Sequence, residues 1–538
     1  MFLSLLVVIL LGEAYRRSRG RLHAMRPTMP AAWRALRGDL GHAFRRVAAW
    51  EWIGLALVTA LGASLRMRYL DQPIRYDEAA TWLDYASQPL GRALSDYRFP
   101  NHHLFHTLLV HLSAAMFGSA PWALRLPALA AGIALVPLTW ALARTLHSRE
   151  AALGAAGLAA ASTTLVLYST NARGYTILAC LTVILALLAT RLARADNPAG
   201  WAAMAATAAL GAWTIPVMLY PAGAIALWLW LEARGGAAAI DARAMRSRLR
   251  WTGLAALCLT AVLYLPVVAR TGLALVIGNR FVRPQSRSEF FAKLPGFLRD
   301  VGLDFSRGWN GALAVLLGAA LVVGLVSGRA RRHRVPLLGA MLAWSLLLLV
   351  ANGRLPYLRV WMFLLPFALA AAAAGLDRAV RLTLARAPSG MARAASLAAL
   401  AIVVTSAAVG LVRSDAVRRA EDTGTLRDGA AIAALLIDRA RPRDRVIASA
   451  PADLPLAYAL QRQAGSTDLL HATPDSAHRL WIVVNDAVGQ REDSLLRAAE
   501  IVTGDFGVPL LVGRFREASV HARSRVRPGC VLDPAICR

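Results

Sequence analysis

Trp52-Ile-Gly-Leu-Ala-Leu-Val-Thr-Ala-Leu-Gly-Ala-Ser-Leu-Arg-Met-Arg68 is the stretch whose reading decides the fold. It is apolar almost to its end. At ~1.5 Å per residue, a helix of this length approaches the ~30 Å hydrocarbon layer of a bilayer. A strongly basic segment, Arg16 to Arg46, precedes it, and an acidic pair, Asp77-Glu78 in Arg75-Tyr-Asp-Glu-Ala79, follows. Comparable apolar runs recur to about residue 412. Backbone polar groups inside a bilayer must be satisfied within the segment, so the expected fold is an all-α polytopic membrane bundle.

Composition agrees. The chain has 538 residues, of which 57% are hydrophobic, and a mean hydropathy of +0.48. The net charge of +28 would suggest nucleic acid in a soluble chain. Here the arginines cluster in short loops between apolar runs, which is the footprint of membrane topology, so no nucleic-acid partner is expected. Residues 1–50 are read as a basic cytoplasmic segment.

The basic loops Arg144 to Arg149, Arg191 to Arg194, Arg234 to Arg250, Arg329 to Arg334 and Arg378 to Arg393 are placed inside. Alternation then predicts spans at 52–68, 122–143, 151–169, 175–193, 200–214, 216–232, 251–270, 309–327, 335–351, 357–375 and 394–412. The 200–232 pair reads equally as one broken hairpin. Leu104 to Phe117 is too short to span and is expected to lie along the outer interface. About eleven crossings leave residues 51–412 as the membrane domain, with a first outer loop at 70–121 and a large one at 271–308. They place residues 413–538 outside. Arg445 to Ser449, Leu480 to Val484 and Val508 to Val512 read as short buried strands, and 454–463 and 493–500 as helices. That tail is expected to be a small exoplasmic α/β domain, serving acceptor recognition or as a structural cap. Cys530 and Cys537 would face an oxidising compartment, where a disulfide is plausible.

The outer segments hold the chemistry. A carboxylate such as Asp77 serves as general base when a nucleophile lies within hydrogen-bond reach; the bland alternative is a pair of solvated loop charges. In Pro100-Asn-His-His-Leu-Phe-His106, His102 and His106 stand one helical turn apart. With His103 they are candidate ligands of a divalent metal, to which Asp77 or Glu78 could be brought by folding; the favoured reading is that one histidine binds substrate and the others line the interface. Arg173, Arg354 and Arg359 lie at outer helix ends, and Arg280, Arg283, Arg287, Lys293 and Arg299 make the 271–308 segment basic. The guanidinium fork matches phosphate, so an anionic ligand arriving from the bilayer is expected there; contact with anionic lipid is the alternative.

In these motifs the chain resembles the integral-membrane glycosyltransferases of the GT-C class, in the bacterial branch related to protein O-mannosyltransferases and the lipid A aminoarabinose transferase. The resemblance rests on Asp77-Glu78, Asn101-His-His-Leu104, Ala123-Leu-Arg-Leu-Pro-Ala128, Asn171-Ala-Arg-Gly-Tyr175, and Arg359 seven residues before Pro366. It covers about residues 50 to 380.

The resemblance implies transfer of a sugar from a polyprenyl-phosphate carrier, at the outer face of the inner membrane, to a glycan, lipid or protein acceptor. Asp77 and Glu78 are the expected catalytic pair. Asn101, His102, His103, Arg173, Tyr175, Arg280, Arg283, Arg354 and Arg359 are the expected substrate-binding residues. The alternatives from other classes are a lipid or sugar transporter and a non-catalytic subunit of a cell-envelope assembly system. A transporter would carry ionisable groups at mid-span, and none stands at the centre of an expected span.

Overall fold

The computed structural model describes residues 28–99, 101–278, 285–327, 335–418, 424–471 and 477–526. It divides into two compact units. The first comprises Met1–Tyr69, Leu94–His106 and Pro127–Arg419; the second comprises Leu70–Ala93, Thr107–Leu126 and Ala420–Arg538. The expected division assigned the first outer loop to the membrane domain. In the structure most of that loop belongs with the C-terminal residues instead. Arg280, Arg283, Cys530 and Cys537 lie outside the described residues.

The first unit is helical, as its Ala- and Leu-rich runs dictate. A helix stands at every expected span. Among the described residues six are long and apolar enough to cross a membrane: Pro121–Leu146, Tyr175–Leu192, Pro216–Arg234, Ala242–Thr271, Leu358–Thr383 and Ser389–Ser414. A seventh is the pair Arg149–Ala161 and Thr163–Ser169, bent by 57°. Leu104–Phe117, Gly311–Val326 and Leu337–Asn352 are apolar but shorter. The 200–232 region is two helices, Pro198–Thr214 and Leu219–Arg234, parted by extended Ile215 and the 3-10 turn Pro216–Met218.

The bend has a local cause. Ser162 leaves helical dihedrals and caps the second piece through its side chain, accepting from the Leu165 amide. The carbonyls freed at the break are met by Arg66, which is fully buried. It donates to Ala159 O and Ala160 O at 3.3 and 3.1 Å, to Gly62 O at 2.9 Å and to Ser169 Oγ at 3.1 Å. Elsewhere small residues permit close crossing. A Cβ on Gly375 would stand 1.8 Å from Ala320 O, and one on Gly324 would stand 2.0 Å from Ala371 O. Backbones meet there without intervening side chains, as in membrane helix pairs generally.

The segment expected as a large outer loop holds a 19-residue helix, Arg287–Phe305. Ser286 caps it by accepting from the Glu289 amide, and Phe297 packs against Trp361 with ring centroids 6.2 Å apart.

The second unit carries a four-stranded sheet of order β1-β2-β4-β3: β1 Asp444–Ile447, β2 Arg479–Asn485, β3 Leu510–Arg514 and β4 Ala518–Ser524. β1 and β2 are parallel; β4 runs antiparallel to both β2 and β3. Side chains alternate across β2. Trp481 and Val483 join Ile432, Leu436, Leu456 and Leu460 in one core, while Leu480, Ile482 and Val484 join Leu495 and Leu496 in another. Three strands and the helices Asp453–Ala464 and Glu492–Ala498 fall where the sequence places them. β4 and the helix Gly429–Arg439 are additional. The first-loop segment enters this unit through an antiparallel bridge between Arg75 and Thr425 and a bond from Thr425 Oγ1 to Ile74 O at 3.0 Å.

Candidate functional site

The sequence-predicted residues form two constellations, one in each unit. The first surrounds Asp77. A five-residue helix, Tyr76–Ala80, begins at Arg75 in extended conformation. Glu78 stands at its third position and accepts from the Arg75 amide at 2.9 Å, which fixes the turn. The Glu78 carboxylate is also gripped by Arg125, with Nε to Oε1 at 2.7 Å and Nη2 to Oε2 at 2.6 Å. Both side chains are fully buried. The remaining Arg125 donors reach Leu70 O at 2.7 Å, Gln72 O at 2.8 Å and Pro73 O at 3.0 Å. One guanidinium thus holds the entry to the loop and the helix that displays Asp77. Glu78 is committed to this clamp, so its place is that of a positioning group.

Asp77 retains 9% exposure. The helix Asp453–Ala464 of the same unit packs on this element, and Trp82 Nε1 donates to Gln461 Oε1 at 2.9 Å. Burial pushes the Tyr76 phenol up to about 12, with the carboxylates of Asp453, Asp77 and Asp84 reinforcing it. Burial likewise raises Asp453.

The second constellation gathers His102, His103, Arg173, Tyr175 and Arg359. The turn Asn171–Gly174 separates Thr163–Ser169 from Tyr175–Leu192 and presents Arg173, which is 2% exposed. Arg173 Nη1 donates to Asn101 O at 2.9 Å. The Gly174 amide donates to His103 Nδ1 at 2.9 Å. That bond takes the Nδ1 lone pair, so a neutral His103 carries its proton on Nε2. Arg173 Nη2 lies 3.4 Å from that same Nε2. Two N–H donors therefore converge on one region.

Burial, with Arg173 adding its charge, holds His103 well below its ordinary value; burial pushes His102 down to about 3. Arg359 Nε donates to the Tyr175 hydroxyl at 3.0 Å, and its guanidinium lies 4.3 Å from the Tyr357 ring centroid. Tyr175 meets His103 edge-on at 5.1 Å, and Tyr97 stacks on His102 at 5.6 Å.

Arg354 is half-buried and makes no hydrogen bond or ion pair to this cluster among the described residues. Among those residues no group of three or more His, Cys, Asp or Glu is arranged to hold a metal ion. His103 spends Nδ1 on a backbone amide, so its Nε2 carries the proton and has no lone pair for a metal. Sequence reasoning assigned no role to Arg125, Tyr97 or Asp453. The signal for Arg125 was present: an arginine four residues into an apolar helix demands an anionic partner.

A family model described as dolichyl-phosphate-mannose-protein mannosyltransferase matches residues 101–268. Among solved structures, ArnT from Cupriavidus metallidurans in the apo state aligns with a TM-score of 0.58 at 16% identity, covering 88% of this chain and 98% of that one. The same protein bound to undecaprenyl phosphate aligns with 0.57 at 17% identity, over the same shares. The oligosaccharyltransferase AglB from Archaeoglobus fulgidus, in complex with an inhibitory peptide and a dolichol-phosphate, aligns with 0.51 at 13% identity, covering 80% of this chain and 65% of that one. No curated protein sequence matches the chain. The resemblance to GT-C class membrane glycosyltransferases, related to ArnT and the O-mannosyltransferases, therefore stands on a family-model match as well as on fold.

Proposed function

We propose that this protein is a glycosyltransferase that moves a sugar from a polyprenyl-phosphate carrier to an acceptor hydroxyl at the exoplasmic face of the inner membrane, with eleven crossings. The observation that carries the reading is the convergence of His103 Nε2–H and Arg173 Nη2, 3.4 Å apart. Two donors aimed at one region suit an oxygen of a phosphate, and Arg359 beside Tyr175 adds a second guanidinium.

In this reading Asp77 takes the proton of the acceptor O–H as its oxygen attacks the anomeric carbon. The bond from that carbon to the phosphate oxygen breaks, and the electron pair leaves with the polyprenyl phosphate. Arg173, Arg359 and His103 stabilise the charge that develops on it. Attack opposite the leaving group inverts the anomeric configuration. Glu78, held by Arg125, positions Asp77. The acceptor is a glycan, lipid or protein hydroxyl.

The test is donor binding. Arg173→Ala and Arg359→Ala should each weaken the affinity for a polyprenyl phosphate in nanodiscs by roughly ten- to a hundred-fold, since a charge-assisted bond contributes about 1.5–3 kcal/mol. Arg→Lys should restore only part of it, because the ammonium lacks the fork. Unchanged affinity in both alanine variants overturns the assignment of the phosphate to this cluster.

A further inference from the structure

Five buried polar atoms, on four side chains beside the arginine cluster, have no hydrogen-bond partner among the described residues. They are both ring nitrogens of His106, Oδ1 of Asn171, Oδ1 of Asn101 and Nε1 of Trp213. His106 is 0%, Asn171 3% and Trp213 9% exposed. Leaving such a group dry and unpaired costs about 1–3 kcal/mol each, so the folded protein is expected to receive partners there from outside the chain.

These side chains share one neighbourhood in the first unit. Asn171 lies two residues before Arg173 in the same turn, and Arg173 holds the Asn101 carbonyl. Phe105, adjacent to His106, packs on the Trp213 ring at 5.7 Å. Burial pushes His106 down to about 3, with Arg173 and His102 adding to it, so its ring is neutral. The inventory is then one donor and one acceptor from His106, two amide oxygens that accept, and one indole donor. All four side chains are uncharged, and the charged members of the cluster, Arg173 and Arg359, are cations. Asp96, whose charge reaches His102, is bound to Arg98 at 2.7 Å.

Resting on the donor reading above, we infer that the transferred glycosyl unit is a neutral, hydroxyl-rich sugar and not an amino sugar, and that His106, Asn171, Asn101 and Trp213 hold its hydroxyls. Alternating donors and acceptors match hydroxyls, which do both. An ammonium held by these side chains would meet two guanidiniums, and the carboxylate assigned to the reaction, Asp77, serves the acceptor hydroxyl at the anomeric carbon.

The experiment compares three ligands on the full chain in nanodiscs: a short-chain polyprenyl phosphate, the same lipid phosphate carrying a neutral hexose, and the same carrying an amino-deoxy sugar. The neutral glycosyl lipid should bind at least ~10-fold tighter than the bare phosphate, the gain expected from one or two satisfied buried groups. Trp213→Phe, which keeps the ring packing and removes the N–H, should erase part of that gain and leave the bare phosphate affinity unchanged. Asn171→Asp should shift preference toward the amino sugar.

Equal binding of bare and neutral glycosyl lipid would show that the orphan atoms hold water only and overturns the inference, while the phosphate site survives. Equal or tighter binding of the amino sugar by the unaltered protein overturns it as well. Binding of none of the three removes the donor reading and the inference with it.

Discussion

Asp77 and Glu78 are neighbours in sequence and different in circumstance. Glu78 is consumed by Arg125 and the Arg75 amide, whereas Asp77 keeps a small exposed fraction on a helix whose start those bonds fix. Asp77→Asn should therefore abolish transfer, by roughly 10²–10⁴-fold for loss of a general base, and leave expression, melting temperature and polyprenyl-phosphate binding near normal. Membranes supplied with glycosyl lipid and acceptor provide the assay. Near wild-type transfer by that variant would exclude Asp77 as the base. The pair was legible in the sequence as an acidic motif after the first helix. Asp77 reads there as the base and Glu78 as an orienting group; the clamp on Glu78 was not legible, because Arg125 stands 47 residues further along, and only folding brings its guanidinium to the carboxylate. His103 was legible as a candidate ligand. Its tautomer was not, since the Gly174 amide that sets it lies 71 residues away.

Elements were legible where one segment's own pattern determines them. Leu104–Phe117 has the expected bounds, whereas 151–169 reads in the sequence as one unbroken span and is interrupted at Ser162, a residue that caps in place of continuing. Arg287–Phe305 was missed as a helix. Pro295 and Gly296 disfavour one locally, and the packing of buried Phe290 and of Phe297 on Trp361 overrides them. The clamp between Arg125 and the loop at 70–78 belongs to this scale, because five bonds from one side chain hold a whole element. Arg125→Ala leaves the Glu78 charge buried without its partner. It should lower stability by about 3–5 kcal/mol, the range for breaking a buried pair. Arg125→Ala combined with Glu78→Gln should cost less than the sum of the two single changes, and a double-mutant cycle by chemical or thermal denaturation in detergent measures the difference. Additive costs would show that the two side chains do not depend on each other, against the geometry.

The helical bundle was readable across the molecule from hydropathy, and its division into two units was not. Residues 70–93 and 107–126 join 420–538 through contacts such as Arg75 with Thr425, and 350 residues separate those partners in the chain. The crossing number turns on the four expected spans outside the seven that are long and apolar enough, namely Ala49–Met67, Pro198–Thr214, Gly311–Val326 and Leu337–Asn352. Gly311–Val326 and Leu337–Asn352 have 16 residues each, which is about 24 Å of helix against a hydrocarbon layer of ~30 Å. They can cross where the bilayer thins or flanking residues reach the interface, and the basic run Arg329 to Arg334 between them favours an inside turn. Reporter fusions after Arg149, Arg250 and Arg334 should read cytoplasmic, and fusions after Gly308 and Arg413 exoplasmic. An exoplasmic signal at Arg334 would mean that neither short helix crosses and that nine crossings remain. The Arg413 fusion would still read exoplasmic in that case, because removing two crossings preserves the parity. A cytoplasmic signal at Arg413 is the severe outcome. It would place residues 420–538 on the opposite side from the first outer loop, which the bridge between Arg75 and Thr425 within the second unit forbids, so either the orientation of the first span or the eleven-span count would have to be abandoned.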